Sequence, residues 1–184
     1  MELCLAIELT PENKKLIEKE SAEIFEDYKE FLWYDPQEYR IPIFTWSKVE
    51  EDLIPKLVEK INDVFFETEQ FDIFGSDYVV KIGSRIDLYL RFQREAKFTR
   101  LVRSLSDTFF GSGIASPEDF AMVAIARYKI PAKQQYSHLK NKLEKLNTDV
   151  HLDVKTLSIL KITEFGKGAK EGKILASVDL LQKQ

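Results

Sequence analysis

Along this chain, segments that alternate apolar and polar residues every second position take turns with segments that repeat every three to four, and tight-turn signals separate them. That mixture constrains the fold most, because a period of two buries one face of a strand and a period of 3.6 buries one stripe of a helix. Residues 3–9 set Leu3, Leu5, Ile7 and Leu9 against Cys4, Ala6 and Glu8, a strand with one face on the core. Thr10 offers an N-cap hydroxyl and Pro11 suits a first helical position, where no N–H is needed. The helix that follows carries Ile17, Ile24, Phe25, Tyr28, Phe31 and Leu32 on a stripe and is expected to end at Asp35-Pro36. Residues 38–46 resemble a strand, and Pro42 within them requires an edge, a bulge or a broken ladder.

Strands and helices go on alternating beyond residue 50. A helix is expected over about 50–65, with Pro55 in its first turns. Three short strands follow near 70–74, 78–82 and 86–92, separated by Gly75-Ser76-Asp77 and Gly83-Ser84. A helix over about 94–109, a strand over 119–129, a short helix marked by Tyr136, Leu139, Leu143 and Leu146, and a strand-rich tail with a turn at Gly166-Lys167-Gly168 complete the order. Hairpins joined by tight turns point to an α+β fold with antiparallel sheets. Two halves, each with two helices against a small sheet, make a bilobed molecule with a central groove and helices outside.

Composition narrows the setting. Of 184 residues 44% are hydrophobic and 32% charged, and thirteen Phe with seven Tyr supply a core that needs no covalent staples. The single cysteine, Cys4, excludes an internal disulfide and fits a reducing, cytoplasmic compartment. The N-terminus meets Glu2 before any basic stretch, unlike a signal peptide, and no apolar run suits a membrane span. The net charge of −4 conceals a split: residues 1–90 hold ten Lys/Arg and twenty-one Asp/Glu, residues 91–184 seventeen and ten. A basic second half can serve a polyanionic partner, and it can equally be the solvated face of mixed-sign helices.

Motifs that carry chemistry by themselves are missing. His138 falls on the fourth helix and His151 at the start of a tail strand, neither with a His, Cys or carboxylate at metal-ligand spacing, so no metal and no cofactor is implied. Nothing near Cys4 would make it a thiolate. Gly111-Ser112-Gly113 has a helix before it and a strand after it, the reverse of a phosphate-binding loop, and is expected to terminate the helix.

The order of elements resembles the 2H phosphoesterases, represented by the 2′-5′ RNA ligase and RNA cyclic phosphodiesterase group. The likeness spans nearly the whole chain, 1–184, as a single domain of two pseudo-symmetric lobes. Leu3–Thr10 with Pro11-Glu12 resembles the family's opening strand and helix start, and Tyr34 to Trp46 the segment of its first motif. Residues 49–55 resemble the acidic helix start downstream, 120–127 the second motif segment, and 152–160 with the final strand the closing hairpin. In that family two His-x-Thr-x motifs face one another across the groove. A His and a Thr two apart on a strand point the same way, and one imidazole takes a proton while the other gives one.

Here the first motif position holds Arg40-Ile41-Pro42-Ile43 and the second Met122-Val123-Ala124-Ile125. Arg40 cannot cycle a proton at neutral pH, Met122 has none to exchange, and Pro42 and Ala124 offer no hydroxyl. The resemblance therefore implies a protein that has lost the family's catalysis, with no catalytic residue at these positions. Arg40 can still bind a phosphate through two hydrogen bonds, or form a salt bridge with a nearby acid at the groove mouth. Arg127 is at odd parity to Met122, so regular pleating points it away from the groove. Three functions follow: an RNA, nucleotide or other phosphorylated ligand bound in the old groove; a protein-interaction scaffold whose groove is filled by side chains such as Met122; or a phosphodiesterase re-sited on His138 or His151.

Overall fold

The computed structural model describes residues 1–112, 114–115, 120–165 and 169–182. The chain forms β1 (Glu2–Ile7), α1 (Pro11–Asp27), β2 (Leu32–Trp33), β3 (Ile41–Trp46), α2 (Ile54–Phe65), β4 (Phe71–Ile82), β5 (Ile86–Phe92) and α3 (Ala96–Thr108). It continues with β6 (Ile114–Ala115), β7 (Met122–Tyr128), α4 (Lys133–Leu143), β8 (His151–Val154), β9 (Thr156–Phe165) and β10 (Ala169–Asp179). The strands make two five-stranded sheets, ordered β10-β9-β1-β3-β6 and β2-β7-β5-β4-β8, and the pairs within them are antiparallel. Helices α2 and α3 pack with β3, β6 and β10 of the first sheet, and α4 with β4 of the second. The Ser21 hydroxyl of α1 meets the Tyr78 hydroxyl of β4 at 3.4 Å. The fold is α+β and bilobed, with one apolar core that includes Leu3, Ile41 and Phe44 from one sheet and Leu88, Leu90 and Val123 from the other.

Each sheet draws strands from both ends of the chain, so sequence halves do not become lobes. The acidic α1 lies beside the basic α4, where Lys142 pairs with Asp27 and with Glu23 (3.7 Å). Lys97 reaches Glu69 at 3.1 Å, and Arg91 grips Asp77 through two bonds of 2.8 and 2.6 Å. Part of the charge split is thus spent inside the fold, joining one half of the sequence to the other.

Local signals decide most boundaries. Thr10 Oγ1 accepts from the Asn13 N–H at 3.2 Å and Pro11 opens α1, as the sequence predicts. That helix stops earlier than its apolar stripe does, at Asp27, because Phe31 turns inward to stack on Tyr128 (centroids 4.8 Å apart) while Leu32–Trp33 pair with β7. Residues 36–38 form one 3₁₀ turn, capped by the Asp35 side chain, so β3 starts at Ile41 rather than at 38. The expected turn at Gly75-Ser76-Asp77 is instead a register shift inside one long strand, β4. Its first part pairs with β8, its second with β5, and at the changeover the Gly75 N–H donates to the Val150 carbonyl at 2.6 Å. A Cβ on Gly75 would run into Thr148, so the glycine serves a close approach and not a reversal. Gly111 has φ +76° just past α3, where the left-handed conformation ends a helix. Gly113 and the turn expected at Gly166-Lys167-Gly168 lie outside the described residues.

Candidate binding groove

The two strands that carry the motif positions share one construction. In β3, Phe44 stands opposite Leu5 and Pro42 opposite Ala6, so Ile43 is an extra residue. In β7, Ala126 stands opposite Leu88 and Ala124 opposite Tyr89, so Ile125 is extra. Each bulge reverses the parity of everything beyond it. Ile41, Ile43, Phe44 and Trp46 are all buried, and so are Val123, Ile125 and Ala126. The opposite face of β3 then carries Pro42 and Thr45 with their partners Ala6 and Cys4. That of β7 carries Met122, Ala124 and Arg127 with their partners Arg91, Tyr89 and Asp87.

These faces border a cavity of about 320 Å³ between the sheets, and β3 and β7 approach to within 8 Å between Cα atoms. Its lining includes Arg40, Pro42 and Thr45 on one side and Tyr89 and Ala124 on the other. Tyr34, Glu38, Arg85, Glu2, Cys4 and Ile162 complete it. Three of the four motif positions named from the sequence therefore border one cavity. The fourth, Met122, is only 8% exposed and is not part of the lining.

Arg40 is half-buried just before β3. Its Nε donates to the Glu38 carbonyl at 3.1 Å, and among the described residues its guanidinium forms no ion pair. The guanidinium lies over Gly172 of β10, so close that a Cβ there would overlap Nη1. Arg85 also faces the cavity, with Nε 3.2 Å from Asp87 Oδ1. Among the described residues the lining holds Glu2 and Glu38 beside Arg40 and Arg85, a mixed set of charges.

Arg127 corrects the parity argument. The bulge at Ile125 turns it to the groove side of β7, where it is 6% exposed and its guanidinium sits over the Tyr34 ring, 5.7 Å from the centroid. Burial raises the Tyr34 phenol above its ordinary pKa of 10.0, and the neighbouring Arg127 charge and hydrogen bond oppose that rise. The Tyr34 N–H donates to the carbonyl of Ile125 at 3.0 Å, so the bulge residue itself fixes the backbone that presents this ring. Tyr34, Tyr89, Arg85 and Thr45 escaped the sequence analysis. A signal existed for the bulges: the adjacent apolar pairs Ile43-Phe44 and Ile125-Ala126 break the period of two.

Neither histidine lines the cavity. His138 borders a separate hollow of about 250 Å³ between Phe31, Tyr128 and α4. His151 stacks on Phe74 (4.7 Å, 10°) and meets Asp72 at 2.9 Å on the β4–β8 pair. Cys4 is buried beside Thr45, with Sγ 3.5 Å from the Leu5 carbonyl oxygen. Among the described residues no group of three His, Cys, Asp or Glu side chains is arranged to hold a metal ion, and no helix is long and apolar enough to cross a membrane.

The fold, two sheets with a bulged strand of each facing a common groove, is shared with several solved structures. The full length of the chain superimposes on TT0787 of Thermus thermophilus with a TM-score of 0.74 at 13% identity, covering 100% of both chains. Escherichia coli LigT without ligand gives 0.73 at 15% identity, with 98% of each chain covered. Usb1 of Kluyveromyces marxianus gives 0.57 at 9%, covering 95% of this chain and 98% of that one. Structures of LigT with 3′-AMP, NADP+, ATP and phosphate are among the similar ones. No protein-family model and no curated protein sequence matches the chain.

Proposed function

We infer that this chain binds a phosphorylated ligand, a nucleotide or an RNA, in the groove between β3 and β7, without the two-histidine chemistry of the fold's active members. The observation that carries this reading is Arg40: a cation at the wall of an open cavity, whose Nη groups face no carboxylate partner among the described residues. A guanidinium so placed matches a phosphate with two parallel hydrogen bonds. Tyr34 and Tyr89 add aromatic surface to the same cavity, suited to a base. The matching bulges at Ile43 and Ile125 support a single domain of two pseudo-symmetric lobes, with Arg40, Pro42 and Met122, Ala124 as degenerate counterparts.

The hydrolytic alternative needs His138 or His151 in the groove, and both lie elsewhere. The open volume of the groove favours a small ligand over a filled scaffold. A cytoplasmic setting, supported by the single cysteine, completes the proposal. Calorimetric titration with 3′-AMP tests it. The wild-type chain binds, and Arg40→Ala weakens binding about tenfold or more, as expected for the loss of charge-assisted hydrogen bonds. Binding that is indifferent to Arg40→Ala removes the assigned role.

A further inference from the structure

A hollow of about 280 Å³ lies between α1 and the segment that leads from β2 to β3. Helix α1 contributes Glu18, Ala22 and Phe25, which follow one another at a turn's spacing on one stripe. The facing segment contributes Trp33, Tyr34 and Tyr39. Four of these six residues are aromatic and one is a carboxylate. Among the described residues no lysine or arginine belongs to the lining.

The fold fixes these walls. The Trp33 indole N–H donates to the Tyr28 carbonyl at 3.0 Å, and Phe25 meets its ring at 5.3 Å and 68°, so the two rings form a corner. Tyr39 is 4% exposed, and its backbone N–H donates to the Pro36 carbonyl at 3.1 Å. Tyr34 already carries the Arg127 guanidinium over its ring, which leaves Phe25, Trp33 and Tyr39 to meet a ligand. Among the described residues the Glu18 carboxylate forms no hydrogen bond and no ion pair, and Lys14, one turn earlier, is committed to the Gln37 carbonyl at 2.6 Å. After burial, the Glu18 charge is the next cause that holds the Tyr39 phenol above its ordinary pKa, so its field reaches into the hollow. Aromatic rings beside an unpaired carboxylate repel an anion and attract a cation through the ring quadrupoles. A bare ammonium would give up water that these walls cannot replace, whereas an alkylated one presents methyl groups that need no hydrogen bonds.

We propose that this hollow binds an alkylated ammonium group, its methyl groups against Phe25, Trp33 and Tyr39 and its charge facing Glu18. The site does not use Arg40 and stands whether or not the groove takes a nucleotide.

The chain has two tryptophans, so two indole N–H signals in a nuclear magnetic resonance spectrum report the outcome, and Trp33→Phe assigns them. Trp46 is 2% exposed in β3, packed on Phe44, and serves as the internal reference. Titration of the full chain with choline at constant ionic strength moves the Trp33 signal to saturation and leaves that of Trp46 in place. The neutral alcohol in which a tert-butyl group replaces the trimethylammonium has the same shape and binds about tenfold more weakly, for want of the charge. Glu18→Gln, an exposed substitution that retains both indole signals, weakens choline a few-fold and leaves the alcohol as it was. A peptide with one trimethyl-lysine, titrated in parallel, separates a chain-borne cation from a free one, and the tighter binder names the source. Equal affinity for choline and the alcohol, a cation affinity indifferent to Glu18→Gln, or no saturable movement of Trp33 with either cation overturns the proposal.

Discussion

The β3 and β7 strands use one backbone device for opposite ends. Both insert an isoleucine, Ile43 or Ile125, that reverses parity and keeps two successive apolar residues in the core. Both thereby present short side chains, Pro42 and Ala124, to the groove. The cations differ. On the β3 side Arg40 stands at the cavity wall, and among the described residues its Nε bond to the Glu38 carbonyl is its one hydrogen bond. On the β7 side Arg127 is buried against Tyr34 in register with Asp87. A charge buried in this way is part of the fold and must stay compensated, whereas a half-exposed one can exchange water for a ligand. On the proposed reading, Arg40 of the first sheet's lobe meets the anion, while Arg127 of the other lobe holds the Tyr34 ring.

Exchanging each arginine for alanine breaks that comparison most forcefully. Arg127→Ala is expected to cost on the order of 2–4 kcal/mol in a urea unfolding experiment, because it removes a buried side chain packed on the Tyr34 ring and leaves its volume empty. Arg40→Ala changes stability by no more than about 0.5 kcal/mol, the range of an ordinary surface substitution. Similar stability losses for the two variants would erase the distinction.

Alkali probes the segment that leads into β3. Burial of Tyr39 pushes its phenol up to about 12 from 10.0. An unfolded chain releases that proton near pH 10, the folded chain only near 12, so the contribution to stability is complete below about pH 10 and is lost as pH rises toward 12. The loss is on the order of 2 kcal/mol. Circular dichroism across this interval should show the wild-type chain unfolding at lower pH than Tyr39→Phe, which cannot ionise; coincident curves would refute the assignment.

The smallest effect concerns the rest position of Arg40. Gly172→Ala places a methyl group where the guanidinium now lies and must displace it. The expected result is a shift of a few-fold in 3′-AMP affinity that disappears in an Arg40→Ala background, since the two changes act through one group. A shift of equal size with and without Arg40 would mean that Gly172 acts by another route.

Much of this molecule was legible in the sequence because its strands and helices bury one face each. The element order, the antiparallel sheets and the Thr10-Pro11 helix start all follow from local periodicity and capping. What escaped depends on register. Period-two reasoning assigns Arg127 to the wrong face because Ile125 is an added residue, and only its adjacency to Ala126 hints at this. It also breaks β4 at Gly75, where the glycine admits Thr148 instead of turning the chain. The stripe that should have carried α1 to residue 35 fails for another reason: Phe31 gains more by stacking on Tyr128 across the chain than by extending the helix. For the site, the positions Arg40, Pro42 and Ala124 came from the family resemblance, whereas Tyr34, Tyr89, Arg85 and Thr45 needed three dimensions.

On the proposed reading a phosphate sits on Arg40 between the two bulged strands. A crystal structure of the chain soaked with 3′-AMP decides this. The phosphate is expected within about 3 Å of the Arg40 guanidinium nitrogens, with the base in the cavity bordered by Tyr34 and Tyr89. A nucleotide seated elsewhere, or one that places its phosphate away from Arg40 in that cavity, would contradict it.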